Sequence, residues 1–473
     1  MSTSTPVARP SRRQRKPRSD LKLGLTFILP ATIGLVAFYI WPLIRGIWLS
    51  FTEYNLLTPE EFTGLDNYKR MVQDDTFWNA VVVTVEYVVI NIGLQTILAL
   101  LIAVLMQRLT QSTFVRSIVL TPYLVSNVVA AMLWLWILDN TLGITNQLLE
   151  SLTGSAVDFF SSSMAIPTIA IINVWRHVGY TALLIFAGLQ SIPNTVYEAG
   201  KMDGASEWRM FWRITVPLLR PILALVLIMT MIGSFQVFDT VSVATQGGPV
   251  NATRVLQYYI YDMAFGRFQF GYASAMAVGL LLVLAAITIL QYRMTPTTAS
   301  VSSAQSPKAA AAASSKAPGR RLTVGKALAW AAMILIMLFT LLPFYWVLRT
   351  ALSSNAGITA HPTSLLPVDI NLRGFARVFG MQSTEEALAD GGSGAAINFW
   401  LYLRNSVIIS TLVTVGQVFF SAMAAYSFSR LRWRGRDTVF AVFLGALMVP
   451  SIFTLLPNFV LVKQLHLIDT FLG

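Results

Sequence analysis

Long runs of apolar residues, separated by short polar segments, dominate the pattern of this chain. The hydrocarbon core of a bilayer is about 30 Å thick, and a helix needs about 20 apolar residues to cross it. A strand there would leave its backbone groups unpaired, and these runs are too long for barrel strands. The runs lie at residues 23–41, 80–106, 115–138, 164–189, 217–239, 270–292, 326–348, 401–428 and 439–462. The pattern therefore predicts an all-α polytopic membrane protein with about nine transmembrane helices.

Composition agrees with this prediction. Of the 473 residues, 55% are hydrophobic and only 12% are charged, and the mean hydropathy is +0.62. A soluble domain of this size needs more charged residues to cover its surface. The chain contains no cysteine, which excludes disulfide bonds and thiolate metal sites but does not indicate a compartment.

The distribution of Lys and Arg predicts the orientation in the membrane. Seven basic residues and one acid, Asp20, precede the first run, so the positive-inside rule places the N-terminal tail, residues 1–22, in the cytoplasm. Residues 52–77 are rich in acids, residues 139–163 carry acids and no bases, and both are expected outside. A cleaved signal peptide is the alternative for the N-terminus, but the first run exceeds a signal core and no small-x-small site follows it.

The net charge of +12 does not indicate a nucleic-acid-binding protein. The bases lie in tails and loops predicted to be cytoplasmic, such as residues 430–436, rather than on a folded basic domain. We expect them to orient the helices and to contact anionic membrane lipid.

Residues 294–321 divide the chain. They are rich in Ala, Ser, Thr, Pro and Lys and contain no acid, which predicts a disordered cytoplasmic linker. The flanking segments repeat weakly at a constant offset of 322 residues. The matching pairs are Phe77-Trp78 and Phe399-Trp400, Gln95 and Gln417, Ala103 and Ala425, and Arg108-Leu109 and Arg430-Leu431. This constant register predicts two related modules, residues 23–293 and residues 322–473.

Residues 198–217, which we call the elbow, form a polar segment between two apolar runs. Its first residues can form a short helix, Asp203-Gly204 supplies a turn, a second helix follows, and Pro217 suits the first turn of the next span. Mixed charges on this elbow suit the docking of a soluble partner. Three aromatic residues would equally allow it to lie on lipid headgroups, and spacing alone does not separate the two. They are Trp208, Phe211 and Trp212.

The order of residues in the elbow resembles the EAA loop of permease subunits in bacterial binding-protein-dependent, ATP-driven importers. Gly200 stands where that family usually has Ala, and Val216 where it usually has Leu. The resemblance implies that the elbow docks an ATP-binding cassette ATPase subunit. The residues carried over for this role are Glu198, Ala199, Gly200, Asp203, Gly204, Ala205, Ile214 and Pro217.

Further motifs extend the resemblance over most of the chain. They include Gly64-Leu65-Asp66-Asn67-Tyr68 and Gly247-Gly248-Pro249 in the first module, and Leu342-Pro343-Phe344-Tyr345-Trp346 and Met448-Val449-Pro450 in the second. The resemblance implies the type I permease fold, with six helices in a complete first module. It also implies that residues 322–473 are the first three helices of a fused partner subunit. On this reading the second module is incomplete, and transport is expected to require its remaining half or a complete partner permease.

No residue set in the sequence fits catalysis or a metal site. A Gly-x-x-x-x-Gly-Lys-Ser/Thr motif is absent, and no nucleophile and base pair is apparent. The histidines His177, His361 and His466 stand far apart with no second ligand at helical spacing. We therefore expect no catalytic residue, metal or cofactor in this chain, and ATP hydrolysis on separate partner subunits.

Polar residues inside the spans are the remaining candidates, because burying them in lipid is expensive. For Asn91 and Gln95 we expect hydrogen bonds between helices, and for Arg176 an acid such as Glu86 as its partner. Resemblance to the maltose importer nominates three substrate-facing residues. They are Tyr180, Ser234 and Gln236.

The resemblance thus implies a multi-pass permease of the bacterial inner membrane for a sugar or related polyol compound. Its expected partners are ATPase subunits, a second permease module, and an extracytoplasmic solute-binding protein at loops 52–77, 241–268 and 349–400. Two other classes fit the pattern. An ion-coupled secondary transporter also joins two half-bundles by a linker. A non-transporting scaffold would bind the same partners without moving solute.

Overall fold

The computed structural model describes residues 20–110, 112–294, 324–389, 395, 398–446 and 449–470. Residues 1–19 of the predicted basic tail and residues 295–321 of the predicted linker lie outside these ranges, whereas Met294, which was predicted as linker, ends a helix. In the described part, seven helices are long and apolar enough to cross a membrane, and two bent pairs bring the total to nine. The predicted all-α membrane fold is confirmed.

The first half, residues 20–294, contains fourteen α-helices. They are α1 (Leu21–Leu35), α2 (Trp41–Leu49), α3 (Asp66–Gln73), α4 (Asp75–Leu109), α5 (Thr113–Leu120), α6 (Asn127–Ile137), α7 (Ile144–Thr153), α8 (Ala165–Gln190), α9 (Asn194–Met202), α10 (Glu207–Met210), α11 (Val216–Phe235), α12 (Asp239–Ala244), α13 (Leu256–Tyr261) and α14 (Phe270–Met294). Two short strands, β1 (Thr52–Glu53) and β2 (Glu61–Phe62), pair antiparallel between α2 and α3.

The second half, residues 324–470, contributes the remaining helices. They are α15 (Val324–Ala351), α16 (Asn355–Ala360), α17 (Arg373–Val378), α18 (Thr384–Ala389), α19 (Phe399–Arg430), α20 (Arg436–Ala446) and α21 (Ser451–Gln464). Its long helices α15 and α19 are spans, whereas α16 to α18 form a loop region between them.

Two spans are sharply bent. α5 and α6 meet at 94°, and α20 and α21 meet at 93°. In the first pair, α5 runs into a 3₁₀ turn that contains Pro122, the backbone becomes extended at Val125, and the Ser126 hydroxyl then caps α6 by accepting a hydrogen bond from the Val129 amide. The sequence pattern predicted each pair as a single run, because apolar composition does not record the direction of a helix.

The two halves pack reciprocally. α1 lies against α19 and α2 against α21, so the first span of the first half contacts the second and third spans of the second half. α15, the first span of the second half, likewise contacts α4, α5 and α6. Two related modules would pack against each other in this reciprocal way. The boundaries of the two modules stay a prediction.

A tight contact between the halves lies at the start of α1. The buried ring of Trp433 covers Gly24, and the Ser427 hydroxyl donates a hydrogen bond of 2.9 Å to the Gly24 carbonyl. A Cβ atom on residue 24 would lie only 2.6 Å from Cδ1 of Trp433. The absence of a side chain at residue 24 is therefore part of how the halves fit together.

We expect Gly24→Ala to destabilise the folded protein by about 1–3 kcal/mol, the usual cost of overpacking a filled contact. The measurement is the thermal unfolding midpoint of the purified chain in detergent. Gly34→Ala in the same helix is the matched control, since nothing lies within 4 Å of its added Cβ. Equal midpoints for the two variants would contradict the packing described for Gly24.

Asp74 joins three helices at the end of α4 that lies away from the elbow. It caps α4 by accepting hydrogen bonds from the Thr76 and Phe77 amides. Its other oxygen accepts bonds from the hydroxyls of Tyr259 in α13, at 2.7 Å, and Tyr272 in α14, at 2.6 Å. Burial alone would raise the pKa of this carboxyl, but the four donors together hold the pKa below its usual value. The carboxylate thus stays charged and fixes the start of α4 against α13 and α14.

Candidate functional site

The elbow is a helix–turn–helix unit that joins α8 to α11. α9 ends at Met202, and Gly204 follows with a φ of +73°. The Ala205 amide donates to the Gly200 carbonyl at 2.9 Å and the Gly204 amide to the Lys201 carbonyl at 3.0 Å. These two bonds close the helix end with a residue in the left-handed region, where glycine carries no steric penalty. Gly204 therefore sets the angle between α9 and α10.

The two helices of the elbow cross at Gly200. This residue is buried, and a Cβ atom on it would lie 3.0 Å from the Ile214 side chain and 3.3 Å from the Met210 sulfur. The small residue allows α9 to rest directly on these two side chains. Glu198, Ala199 and Asp203, by contrast, are exposed on the outer surface of the elbow.

Contacts also tie the elbow to the neighbouring span. Arg108 at the end of α4 forms an ion pair of 3.0 Å with Glu207, and Lys201 lies 3.7 Å from the same carboxylate. The hydroxyls of Tyr197 and Thr215 lie 3.1 Å apart. The exposed ion pairs contribute little stability by themselves, but they orient the elbow on α4.

Within the elbow, a π-helical segment, Phe211–Thr215, connects α10 to α11. It ends two residues before Pro217, and the π-helical segment Val36–Ile40 likewise ends two residues before Pro42. Proline has no amide hydrogen, and its ring collides with the carbonyl four residues earlier in a regular α-helix. A wider turn removes this collision. Pro217 thus explains the change of helical register where the elbow becomes a membrane span.

α11 leads from the elbow to a cavity of about 330 Å³ among the spans. α4, α6, α8 and the start of α12 supply its other walls, together with the 3₁₀ turn that precedes α6. Most of the side chains that line it are amides, hydroxyls and aromatic rings. One cation and one carboxylate, Arg176 and Asp239, also reach it. The cavity therefore brings polar groups together between apolar helices.

Hydrogen bonds between helices fix the polar wall of the cavity. The Asn91 amide donates to the Ser234 hydroxyl at 2.8 Å, and the Gln95 amide donates to the Thr181 hydroxyl at 2.7 Å. These bonds join α4 to α11 and to α8. The Asn127 amide donates to Asp239 at 2.7 Å and so joins α6 to α12.

Another part of the lining carries a stack of planar groups. The rings of Tyr123 and Tyr180 stack with centroids 4.6 Å apart, and the Arg176 guanidinium lies 5.4 Å from the Tyr123 centroid. Arg176 Nε donates to the Val125 carbonyl at 2.7 Å. His177 Nδ1 lies 2.9 Å from the Asn173 carbonyl oxygen. This wall offers aromatic faces and a cation held by backbone carbonyls.

The chain is similar to proteins of a known family. Residues 95–299, which contain the elbow and much of the cavity, match the family model described as binding-protein-dependent transport system inner membrane component. The chain is 33% identical over 289 residues to a probable ABC transporter permease, YesP of Bacillus subtilis, covering 60% of this chain and 93% of that protein. The chain belongs to this family of permeases.

Two further relatives are also permease proteins of transport systems. The trehalose/maltose permease MalF of Thermococcus litoralis is 33% identical over 278 residues, which cover 58% of this chain and 94% of that protein. The sn-glycerol-3-phosphate permease UgpA of Yersinia pestis is 29% identical over 274 residues, covering 57% of this chain and 93% of that protein. These relatives are membrane subunits of ABC transporters rather than enzymes, and ATP hydrolysis belongs to separate subunits.

Solved structures show the same fold. A bacterial ABC transporter involved in the import of the acidic polysaccharide alginate superposes with a TM-score of 0.52 at 23% identity, covering 58% of this chain and 95% of that chain. A second structure, of an alginate transporter with a pentasaccharide-bound periplasmic protein, gives 0.53 at 22% identity, covering 59% and 94%. The permease fold inferred from the sequence is confirmed.

The structure brings the three nominated substrate-facing residues of the permease to one cavity. Tyr180, Ser234 and Gln236 all line it. The Ser234 hydroxyl already donates to the Thr230 carbonyl at 2.7 Å and accepts from Asn91, so it also holds the cavity wall. Gln236 reaches the second half, since its side-chain oxygen lies 3.5 Å from the Ser451 amide.

The interhelical hydrogen bonds expected for Asn91 and Gln95 are confirmed, but the expected pairing of Arg176 with Glu86 is wrong. Glu86 lies on the exposed side of α4, one residue from the buried Tyr87 that lines the cavity. Consecutive residues of a helix point about 100° apart, which separates the two faces. Arg176 is satisfied by the backbone carbonyls of Tyr123 and Val125 instead.

Sequence reasoning missed several residues of the cavity. Tyr123, Asn127 and Asn173 line it, although none was singled out from the pattern. A signal was present for two of them, because Pro122 and Ser126 mark a break within an apolar run, and Tyr123 and Asn127 follow these residues directly. A break in a span exposes backbone groups that need a cavity or a protein neighbour.

Proposed function

We propose that this permease imports a sugar or a related polyol. The observation that carries the proposal is the cavity, in which amides, hydroxyls and stacked tyrosines meet between apolar helices. Aromatic faces with a few placed polar groups fix the orientation of a small ligand. The names of the relatives MalF and UgpA support the same substrate class.

Coupling to ATP hydrolysis takes place through the elbow. Exposed Glu198, Ala199 and Asp203 form the docking surface for an ATPase subunit, and Gly200, Gly204 and Ala205 hold its shape. Ile214 and Pro217 carry the movement into α11. Because the same helix carries Gly233 and Ser234 of the cavity wall near its other end, a shift of the elbow changes the substrate site directly.

The elbow faces the cytoplasm of a bacterial cell, and the N-terminus lies on the same side of the inner membrane. The excess of bases on this side and of acids in residues 52–77 supports this orientation. A solute-binding protein then delivers substrate to the opposite surface, at residues 52–77, 241–268 and 349–400. ATPase subunits and this binding protein work from opposite sides of the membrane.

Topology reporters check this orientation. Fusions after Arg293 and after Arg436 are expected to report the cytoplasm, whereas fusions after Asp75 and after Asp390, which lies outside the described residues, are expected to report the outside. Each fusion is made with two reporter enzymes, one that is active only in the cytoplasm and one that is active only in the periplasm. Periplasmic activity of the fusion at Arg293 would invert the assignment.

We also propose a further permease module as a partner of the second half. Gln95 of α4 is buried and bonded to Thr181 of α8, whereas Gln417, its counterpart in α19, is exposed within a span. An exposed amide in lipid is costly. A helix that packs on α19 as α8 packs on α4 would cover it.

Co-purification and uptake test the proposed function. The chain is expressed with its cognate ATPase, binding protein and a complete partner permease, and the complex is reconstituted in vesicles. We expect the ATPase to co-purify and uptake of a sugar or polyol to require ATP. Uptake driven by an ion gradient without the ATPase would indicate a secondary transporter. A complex that hydrolyses ATP but never moves solute would indicate a scaffold.

A further inference from the structure

An open apolar groove lies between α4 and the elbow. It has a volume of about 430 Å³, and Ile97, Leu101 and Val104 of α4 face Trp208 and Trp212 of the elbow across it. The exposed fraction is 68% for Ile97, 48% for Leu101, 72% for Trp208 and 51% for Trp212. These large apolar side chains are therefore uncovered in the described part of the chain.

The charges of α4 show how deep in the membrane the groove lies. Glu86 and Arg108 are consecutive charged residues of this helix. At about 1.5 Å per residue, the apolar stretch between them is roughly 32 Å long, which matches a hydrocarbon core of about 30 Å. Arg108 thus marks the membrane boundary on the elbow side, and Ile97 lies about 16 Å inside it. The groove occupies the leaflet next to the elbow, beyond the reach of a soluble protein.

The open end of the groove carries an excess of positive charge. Arg108 and Lys201 share the carboxylate of Glu207, at 3.0 Å and 3.7 Å. Arg108 and residues 198–213 of the elbow together carry four bases and three acids. The bases are Arg108, Lys201, Arg209 and Arg213, and the acids are Glu198, Asp203 and Glu207. One cationic charge is therefore in excess at the membrane boundary. Tryptophans at this level are typical of side chains that meet lipid headgroups.

We propose that the groove binds one anionic phospholipid. Its acyl chain lies along Ile97, Leu101 and Trp212, and its phosphate lies at Arg108 and Lys201. A phospholipid has both parts that the groove requires, an apolar tail within the leaflet and a negative charge at the boundary. The inference rests on the proposed function only for the cytoplasmic position of the elbow, where anionic lipids raise the local negative potential.

The apolar part of the lipid site and the docking residues belong to different arms of the elbow. The docking residues Glu198 and Asp203 are exposed on α9 and the following turn, whereas Trp208 and Trp212 belong to α10 and the π-helical segment. Lys201 belongs to α9, so the lipid phosphate would link the first arm of the elbow to Arg108 of α4.

Quenching of a site-specific fluorophore tests the lipid site. The chain has no native cysteine, so a single cysteine at Leu101 can be labelled with a small fluorophore. The full chain is reconstituted in phosphatidylcholine with a small fraction of brominated phosphatidylglycerol or brominated phosphatidylcholine. We expect a roughly fivefold preference for the anionic lipid at this position, the effect of about one cationic charge at a membrane surface. A cysteine at Val415, exposed on α19, is the control for ordinary lipid contact and should show no preference.

A charge variant tests the headgroup. Lys201→Gln keeps the ion pair between Arg108 and Glu207 and removes the excess charge, so the preference at Leu101 is expected to disappear. Equal quenching of the Leu101 probe by both lipids in the unmodified background would overturn the proposal. Absence of quenching at Leu101 with normal quenching at Val415 would also overturn it, since protein would then cover the groove. Neither outcome depends on uptake or on ATPase binding. The quenching assay therefore tests the lipid site independently of the proposed transport function.

Discussion

Replacement of Gly204 by valine is expected to abolish most substrate-stimulated ATP hydrolysis while membrane insertion stays normal. Gly204 adopts a φ of +73°, and its amide and that of Ala205 close the end of α9. The left-handed region costs a residue with a side chain about 1–2 kcal/mol, and a β-branched residue is a genuine outlier there. The turn would change its conformation, and α9 would no longer present Glu198 and Asp203 at the same angle to α10.

The measurement is ATP hydrolysis by the permease complex in vesicles, with and without loaded binding protein. Gly204→Asn is the matched control, because asparagine adopts the left-handed conformation with little penalty. It should retain most of the stimulation. Replacing Glu198 by alanine should weaken partner contact without altering the turn. Wild-type stimulation in the valine variant would refute coupling through the shape of the elbow.

Gly179→Ala is expected to lower the thermal stability of the permease strongly and to remove uptake. Gly179 of α8 lies so close to α5 that an added Cβ would stand 1.9 Å from the Val119 carbonyl oxygen. The clashing atom belongs to the backbone, so a change of side-chain rotamer cannot relieve the clash. The two helices must therefore move apart. The cost is at least the about 1–3 kcal/mol usual for overpacking. The adjacent Tyr180 would lose its stacking on Tyr123, and with it one wall of the cavity.

Gly93→Ala is the control for this prediction. Gly93 lies in α4, and nothing stands within 4 Å of its added Cβ. Alanine there should stabilise the helix by about 0.5–1 kcal/mol, since glycine in a helix interior is unfavourable. The unfolding midpoints of the two variants should therefore shift in opposite directions. If both variants unfold at the temperature of the unmodified protein, the close approach of α8 and α5 is incorrect.

The spans were predictable from the sequence, whereas their directions and contacts were not. The run at residues 217–239 and the helix α11 agree closely, because length and apolar content alone define a span. The run at residues 115–138 is instead two helices at 94°. Its break depends on Pro122 and Ser126, whose effect on the chain direction is set by the surrounding helices.

The site was predictable in part for a similar reason. Tyr180, Ser234 and Gln236 came from a resemblance, and the structure places them around one cavity. The sequence did not show how each helix is rotated about its own axis, and this rotation decides which side chains face the cavity. A span that is apolar on nearly all sides has little amphipathic pattern, so nothing in the sequence showed that Glu86 and Tyr87 lie on different faces.

Cross-linking from the elbow tests the central claim most directly. Met202 has an exposed fraction of 89% beside the docking residues, and Val250, at 94%, lies in the loop between α12 and α13 that we assign to the opposite surface. Single cysteines at these positions, each carrying a photoactivatable cross-linker, are placed in the complex with its ATPase and binding protein. The account predicts that Met202→Cys links to the ATPase subunit and Val250→Cys to the binding protein. An ATPase adduct from Val250→Cys, with none from Met202→Cys, would contradict it.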